Sequence, residues 1–172
     1  PYTSNMRRAE ALWNIVGRRY PVGAYRWLIS WPAEKVNGFS VAGGFGWVQH
    51  GGGGQHTKRG QVTQPPELQR ALERWRRPTI PPEALAAYVG EGHRVDERDP
   101  RLQPIVKSFA NPTVRELPRL IEQFDVRFAA AGFYPVDAFH HYFNVYRDRG
   151  GLFSNAIAER YRFTDARLGE FI

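Results

Sequence analysis

The chain contains no cysteine, a single methionine and only three lysines among its 172 residues. Without cysteine, disulfides, thiolate zinc sites, iron–sulfur ligation and cysteine nucleophiles are excluded within the chain. A long apolar run is missing as well. The longest stretch free of formal charge, 36–57, holds eight glycines and several polar side chains, which is too polar for a membrane-spanning helix.

The usual catalytic and nucleotide-binding signatures are also absent. The glycine run around 43–60 lacks the phosphate-loop pattern, because Lys58 follows Thr57 and precedes Arg59. No G-x-G-x-x-G is placed between a strand and a helix. Neither H-E-x-x-H, H-x-H nor G-x-S-x-G occurs. Among the histidines, His50 and His56 flank a tetraglycine, while His140 and His141 are adjacent on an expected helix. Adjacent helical residues point about 100° apart, so both cannot readily serve one metal. The acids Glu91, Asp96, Glu97 and Asp99 are interleaved with Arg94, Arg98 and Arg101, the pattern of a solvated, self-neutralising linker. The expectation is a chain that is not an enzyme and holds no cofactor or metal.

The residues that are present are unevenly distributed. Residues 1–82 carry twelve Lys/Arg against four acids, a formal +8, whereas residues 83–172 carry twelve against thirteen, a formal −1. All five tryptophans and eleven of the seventeen glycines lie in the first part, and nine of the eleven phenylalanines in the second. This asymmetry suggests a basic docking region attached to a helical body. Arginine outnumbers lysine 21 to 3. Its planar, weakly hydrated guanidinium suits buried ion pairs, phosphate contacts and aromatic stacking.

Helix signals place a first helix from Ser4 or Asn5 to about Arg19, with Leu12, Ile15, Val16 and Tyr20 on one face and Pro21 as its stop. Tyr25–Trp31 reads as a short helix or strand. Phe39–Trp47 alternates aromatic and small residues, the period of an extended strand. From Pro65 onward the pattern becomes helical. Segments are expected at 65–77, 81–89, 111–131 (stripe Leu117, Leu120/Ile121, Phe124, Phe128), 136–149 and 154–163, separated by Gly/Pro stops. The predicted fold is therefore mainly α. It consists of a helical body of αα-hairpins at about residues 65–165, with an extended Gly/Trp-rich N-terminal region containing a short strand. The expected domains are 1–64 for docking and 65–172 for the helical part.

Trp, Tyr and Arg are the residues enriched at interface hot spots. The candidate partner-binding residues are accordingly Trp13, Arg18, Arg19, Arg26, Trp27, Trp31, Phe39, Phe45 and Trp47. To these is added the stripe Arg70, Arg74, Arg77, spaced at i, i+4, i+7. The expected function is that of a non-catalytic structural subunit of a large multi-protein assembly, in a mitochondrial membrane complex, with anionic lipid headgroups as further partners. An RNA-associated role, such as a peripheral ribosomal subunit, is the alternative, since an arginine stripe can track a phosphate backbone. A small helical enzyme with a site near His140 and His141 is the lesser one. The Arg-rich, nearly acid-free stretch 4–26 resembles an organelle-import segment in composition. A cytoplasmic location follows instead if Pro1 only marks removal of an initiator methionine.

Overall fold

The structure, a computed structural model, describes residues 3–43, 62–74, 82–89, 99–103, 105–106 and 113–169. Residues form two units: Pro1–Arg76 with Arg115–Gly132, and Arg77–Val114 with Phe133–Ile172.

The first unit is built on a four-stranded mixed sheet. Its strands are β1 (Val22–Tyr25), β2 (Gly38–Val41), β3 (Thr63–Gln64) and β4 (Phe128–Ala131), in the order β3-β2-β1-β4. Strand β1 runs parallel to both β2 and β4, pairing Val22 with Gly38 on one edge and with Phe128 on the other. Strand β3 closes against β2 antiparallel. Helix α1 (Leu12–Gly17) covers one face, where Trp13 packs with Val22 and Ala24, bordered by Val16, Val36, Phe128 and Ala130. On the opposite face the Phe39 ring meets Phe124, their centroids 5.3 Å apart. Tyr25 there meets Glu116 of a long helix, Thr113–Gln123. Between them in the chain, a further helix of this unit, α2 (Leu68–Arg74), buries Leu68.

This sheet corrects the expectation of a mainly α fold. A strand covered on both faces carries a continuous apolar run instead of an alternating one, and all four residues of β1, Val-Gly-Ala-Tyr, are buried. The period-two signal that marks half-buried strands is thus missing from the strand at the centre of the sheet. Strand β4, Phe-Ala-Ala-Ala, has alanine-rich helical propensity and was expected to extend the preceding helix. That helix ends at Gln123; Asp125 adopts φ 46° and Val126 N–H donates to Ile121 O at 2.9 Å. Arg127 N–H then donates to Pro21 O at 2.9 Å, which delivers Phe128 into register beside β1. Pairing with a buried neighbour overrides local propensity here.

The N-terminal region is likewise folded and not extended over the span 3–43. Only Ser4–Met6, as a 3₁₀ turn, and α1 are helical within the expected 4–19 helix. Ser4 N–H donates to Trp31 O at 2.7 Å and Ser4 Oγ to Pro32 O at 2.8 Å, which ties the chain start to residues 31–32. Strand β2 overlaps only the first three residues of the expected Phe39–Trp47 strand and begins one residue earlier, and Ser40 and Ala42 are buried as well as Phe39 and Val41. Phe45 and Trp47 lie outside the described residues.

The second unit is helical. It contains α3 (Pro82–Ala86) and, after the Thr113–Gln123 helix (α4), α5 (Pro135–Phe143) and α6 (Ala156–Gly169), with 3₁₀ turns at Pro100–Leu102 and Asn144–Tyr146. Its core gathers Leu85, Tyr88, Leu102, Phe139, Phe143, Phe153 and Ile157. Arg160, on the inward stripe of α6, is 1% exposed. Its guanidinium lies 4.8 Å from the Phe163 ring centroid, 5.4 Å from Phe139 and 5.6 Å from Phe133. Burial pushes its pKa down, and the Tyr88 hydroxyl, hydrogen-bonded to it, acts in the opposite sense. Aromatic faces thus replace much of the water that a buried cation loses.

Two outcomes test this architecture. A Cβ at Gly23 would sit 2.6 Å from Phe39 Cζ, and that ring is held by Phe124. Gly23→Ala should therefore cost about 1–3 kcal/mol in urea denaturation, and adding Phe39→Leu should return part of the loss. In the second unit, Arg160→Ala should cost about 3 kcal/mol or more through lost packing and cation–π contact. Arg160→Met, which keeps the volume, should lose distinctly less by the same measurement.

Candidate docking surface

The segment that leaves the central strand builds the surface. Tyr25, at the end of β1, is fully buried, and its hydroxyl donates to the carboxylate of Glu116, itself 4% exposed. Burial raises the Glu116 pKa above the ordinary carboxyl value, against the lowering effects of the Tyr25 hydrogen bond and the Arg26 and Arg115 charges. Burial first, and Glu116 in addition, push the Tyr25 hydroxyl well above its usual range, although the Arg26 charge acts the other way. The Arg26 guanidinium lies 5.6 Å from the Tyr25 ring centroid. Its Nε is buried without a hydrogen-bond partner among the described residues.

From Arg26 the chain turns outward. Arg26 has φ 50° and Ile29 φ 59°, the left-handed region that is a genuine outlier for a β-branched residue. Three hydrogen bonds hold the turn: Arg26 N–H to Val41 O (2.7 Å), Ser30 Oγ to Trp27 O (2.7 Å) and Gly43 N–H to Ser30 Oγ (2.7 Å). A Cβ at Gly43 would lie 2.0 Å from Trp27 O, so the close approach of β2's exit to this turn requires glycine. The result is a braced turn that holds Trp27, Leu28 and Ile29 in solvent.

Beside it, α1 and the residues before it complete an apolar groove of ≈ 480 Å³ lined by Met6, Arg7, Leu12, Trp13 and residues 27–29, with Thr3 and Ala11. Met6, Leu12, Trp27, Leu28 and Ile29 are each between 44% and 60% exposed. Ile15, one helical turn from Leu12, adds a further exposed side chain. Contiguous apolar exposure of this kind marks an interaction site, whereas scattered apolar residues do not. At the rim, Arg7 makes a two-pronged contact with Glu34 (2.8 and 2.7 Å), reaches Asn14 Oδ1 at 2.9 Å, and lies 5.6 Å from the Trp13 ring centroid. Burial would raise the Glu34 pKa, but hydrogen bonds from Arg7 and Asn14 outweigh it and hold the carboxyl below its ordinary value. Arg18 pairs with Glu10 at 2.5 Å. Arg8 and Arg19 are exposed and have no ion-pair partner among the described residues.

The expected partner residues are therefore divided among different environments. Trp27, Arg18 and Arg19 are at the surface. Trp13 is a core side chain, edge-on to Trp27 with centroids 6.0 Å apart. Phe39 is wholly buried, Arg26 is half-buried beside Glu116, and Trp31 is half-buried with its Nε1 enclosed. Of the arginine stripe, Arg70 is exposed on α2. The Arg74 side chain and Arg77 lie outside the described residues, as do Phe45, Trp47, His50 and His56. His140 Nε2 lies 3.1 Å from the Tyr161 hydroxyl, and His141 forms an exposed pair with Asp137 at 3.5 Å. Among the described residues no three His, Asp or Glu side chains gather as a metal site.

Sequence reasoning missed Met6, Leu28 and Ile29 as surface residues, and Tyr25 with Glu116 as a buried pair. The run Trp-Leu-Ile ahead of Ser-Trp-Pro was the available signal, because a turn before proline is a poor place to bury three large side chains. Glu116 carried a weaker signal: it sits next to Leu117 on a helix whose Leu120 and Phe124 recur at spacings that bring position 116 inward.

No protein-family model, no curated protein and no solved structure matches the chain.

The raised Glu116 pKa makes a prediction with a definite sign. The native state retains a proton on Glu116 that the unfolded chain releases at lower pH. Stability should therefore fall as pH rises from the ordinary carboxyl range through the raised pKa. Glu116→Gln, whose amide oxygen still accepts from Tyr25, should flatten this slope in urea titrations stepped through that pH range. An unchanged slope would show that another group carries it.

Proposed function

We propose that this chain is a non-catalytic accessory subunit of a larger, membrane-associated assembly, attached through the apolar surface of its N-terminal unit. The observation that supports this reading is the contiguous exposure of Met6, Leu12, Trp27, Leu28 and Ile29 around one groove. Burying one such side chain stabilises a contact by about 1.5–3 kcal/mol, and the strained, braced turn at 26–30 presents three of them. Strain of this kind persists only where the surrounding structure over-determines it, commonly at binding sites. No helix among the described residues is long and apolar enough to cross a membrane.

The test is the native size of the tagged chain in extracts of its source cell, by sedimentation with and without nuclease. The wild-type chain should migrate in a large, nuclease-resistant particle. Leu12→Glu with Leu28→Glu places two charges in the contact and should weaken attachment by on the order of a hundredfold, returning the variant to a free species of 19.7 kDa. Collapse of the wild-type particle with nuclease would favour the RNA-associated alternative. A wild-type chain that is free in both conditions would overturn the proposal.

A further inference from the structure

We infer that the partner met directly by this surface is an anionic lipid bilayer, with the Trp27–Ile29 turn entering the headgroup–acyl boundary and Arg8 and Arg19 reaching lipid phosphates. This rests on the docking reading above and names its partner. Two features of the surface favour a bilayer over a protein.

The first is the form of the apolar display. Trp27, Leu28 and Ile29 are three consecutive large side chains, all at the surface of one outward turn. A protein interface mixes its apolar anchors with polar groups that find hydrogen-bond partners. A bilayer offers no such partners below the headgroups and accepts an unbroken apolar tip. Within this turn Trp27 O accepts from Ser30 Oγ, and the Arg26 N–H at its start donates to Val41 O. Groups satisfied within the chain can enter an apolar layer at lower cost. Trp27 stands at the edge of the patch against Trp13, the position that tryptophan favours at a membrane interface.

The second is charge complementarity. Residues 1–43 carry six basic side chains (Arg7, Arg8, Arg18, Arg19, Arg26, Lys35) against two acids (Glu10, Glu34), a formal +4. Arg7 and Arg18 are neutralised by those two acids and Arg26 is half-buried beside Tyr25 and Glu116, which leaves Arg8, Arg19 and Lys35 exposed and without an ion-pair partner among the described residues. Arg8 follows the groove-lining Arg7. Arg19 is exposed two residues past the end of α1, four residues after Ile15 and seven after Leu12, where the Tyr20 N–H bond to Val16 O at 3.1 Å continues the helical turn. Exposed Leu12 and Ile15 followed by Arg19 form an apolar stripe ending in a cation, the arrangement of a surface that lies on anionic headgroups.

Flotation of the full 172-residue chain with vesicles tests this. One set is phosphatidylcholine alone and the other phosphatidylcholine doped with phosphatidylglycerol. The chain should float with the doped vesicles, and less so as salt is raised. Leu28→Ser and Ile29→Ser should each lower partitioning by about tenfold, and Arg8→Glu with Arg19→Glu by at least about twentyfold, with far-UV circular dichroism confirming that each variant is folded. Flotation that survives both apolar substitutions would show attraction of a basic protein without insertion and would overturn the inference. So would absence of flotation with either vesicle. In those two cases, a large nuclease-resistant particle that is lost in the Leu12/Leu28 variant would still support docking, with a protein as the partner. Loss of both results would remove the docking reading itself.

Discussion

The N-terminal unit depends on the burial of β1 on both faces and both edges. Its four residues pair with β2 and β4 at once, and the strand has no solvent side to tolerate error. Gly23 leaves room for the outer end of the Phe39 ring, and a single added methyl group would collide with it. From this constraint follow the close packing of Trp13 on one face, the seating of Tyr25 on the other, and the exit direction of the chain at Arg26. The exposed turn is therefore an extension of the fully buried central strand of the sheet.

Both units keep a charged or ionisable side chain in their interior, by different means. Glu116 is accommodated through the Tyr25 hydroxyl and the neighbouring Arg26, and its proton affinity rises because the carboxylate is poorly solvated there. Arg160 is accommodated by three phenylalanine rings and Tyr88. Neither arrangement need be more stable than a hydrocarbon of the same shape, since desolvation consumes most of the electrostatic gain. Each does make its pocket intolerant of misplacement. A slipped sheet register would leave Glu116 without Tyr25, and a rotated α6 would place a guanidinium against aliphatic walls.

The basic character of the first half has a narrower structural meaning than its net charge suggests. Arg7 and Arg18 are engaged with Glu34 and Glu10, and Arg26 serves the buried pair. Among the described residues of 1–43 the exposed, unpaired positive charge reduces to Arg8, Arg19 and Lys35. The tryptophans divide similarly, with Trp13 in the core, Trp31 enclosed and Trp27 presented to solvent. Composition identified a region rich in arginine and tryptophan. Which of these residues face solvent depends on the side of the sheet and its covering helices that each side chain occupies.

Local rules determined much of the helical unit. The prolines at 82 and 135 open helices, Gly150–Gly151 separates α5 from α6, and the stripe Leu85, Tyr88, Val89, Phe139, Phe143 is buried as its spacing requires, because the 3.6-residue period is written along a single segment. The absence of cysteine was equally plain from the sequence alone. Only the tertiary structure decided the sheet. Val-Gly-Ala-Tyr has no alternation to reveal it, because a strand covered on both faces has none; Phe-Ala-Ala-Ala, only partly buried, reads locally as helix, and their pairing joins residues more than a hundred positions apart. The same long-range pairing set the direction in which the chain leaves Tyr25, and with it the exposure of Trp27, Leu28 and Ile29. No local pattern encodes that outcome, since whether an apolar run is core or surface depends on what the rest of the chain brings to cover it.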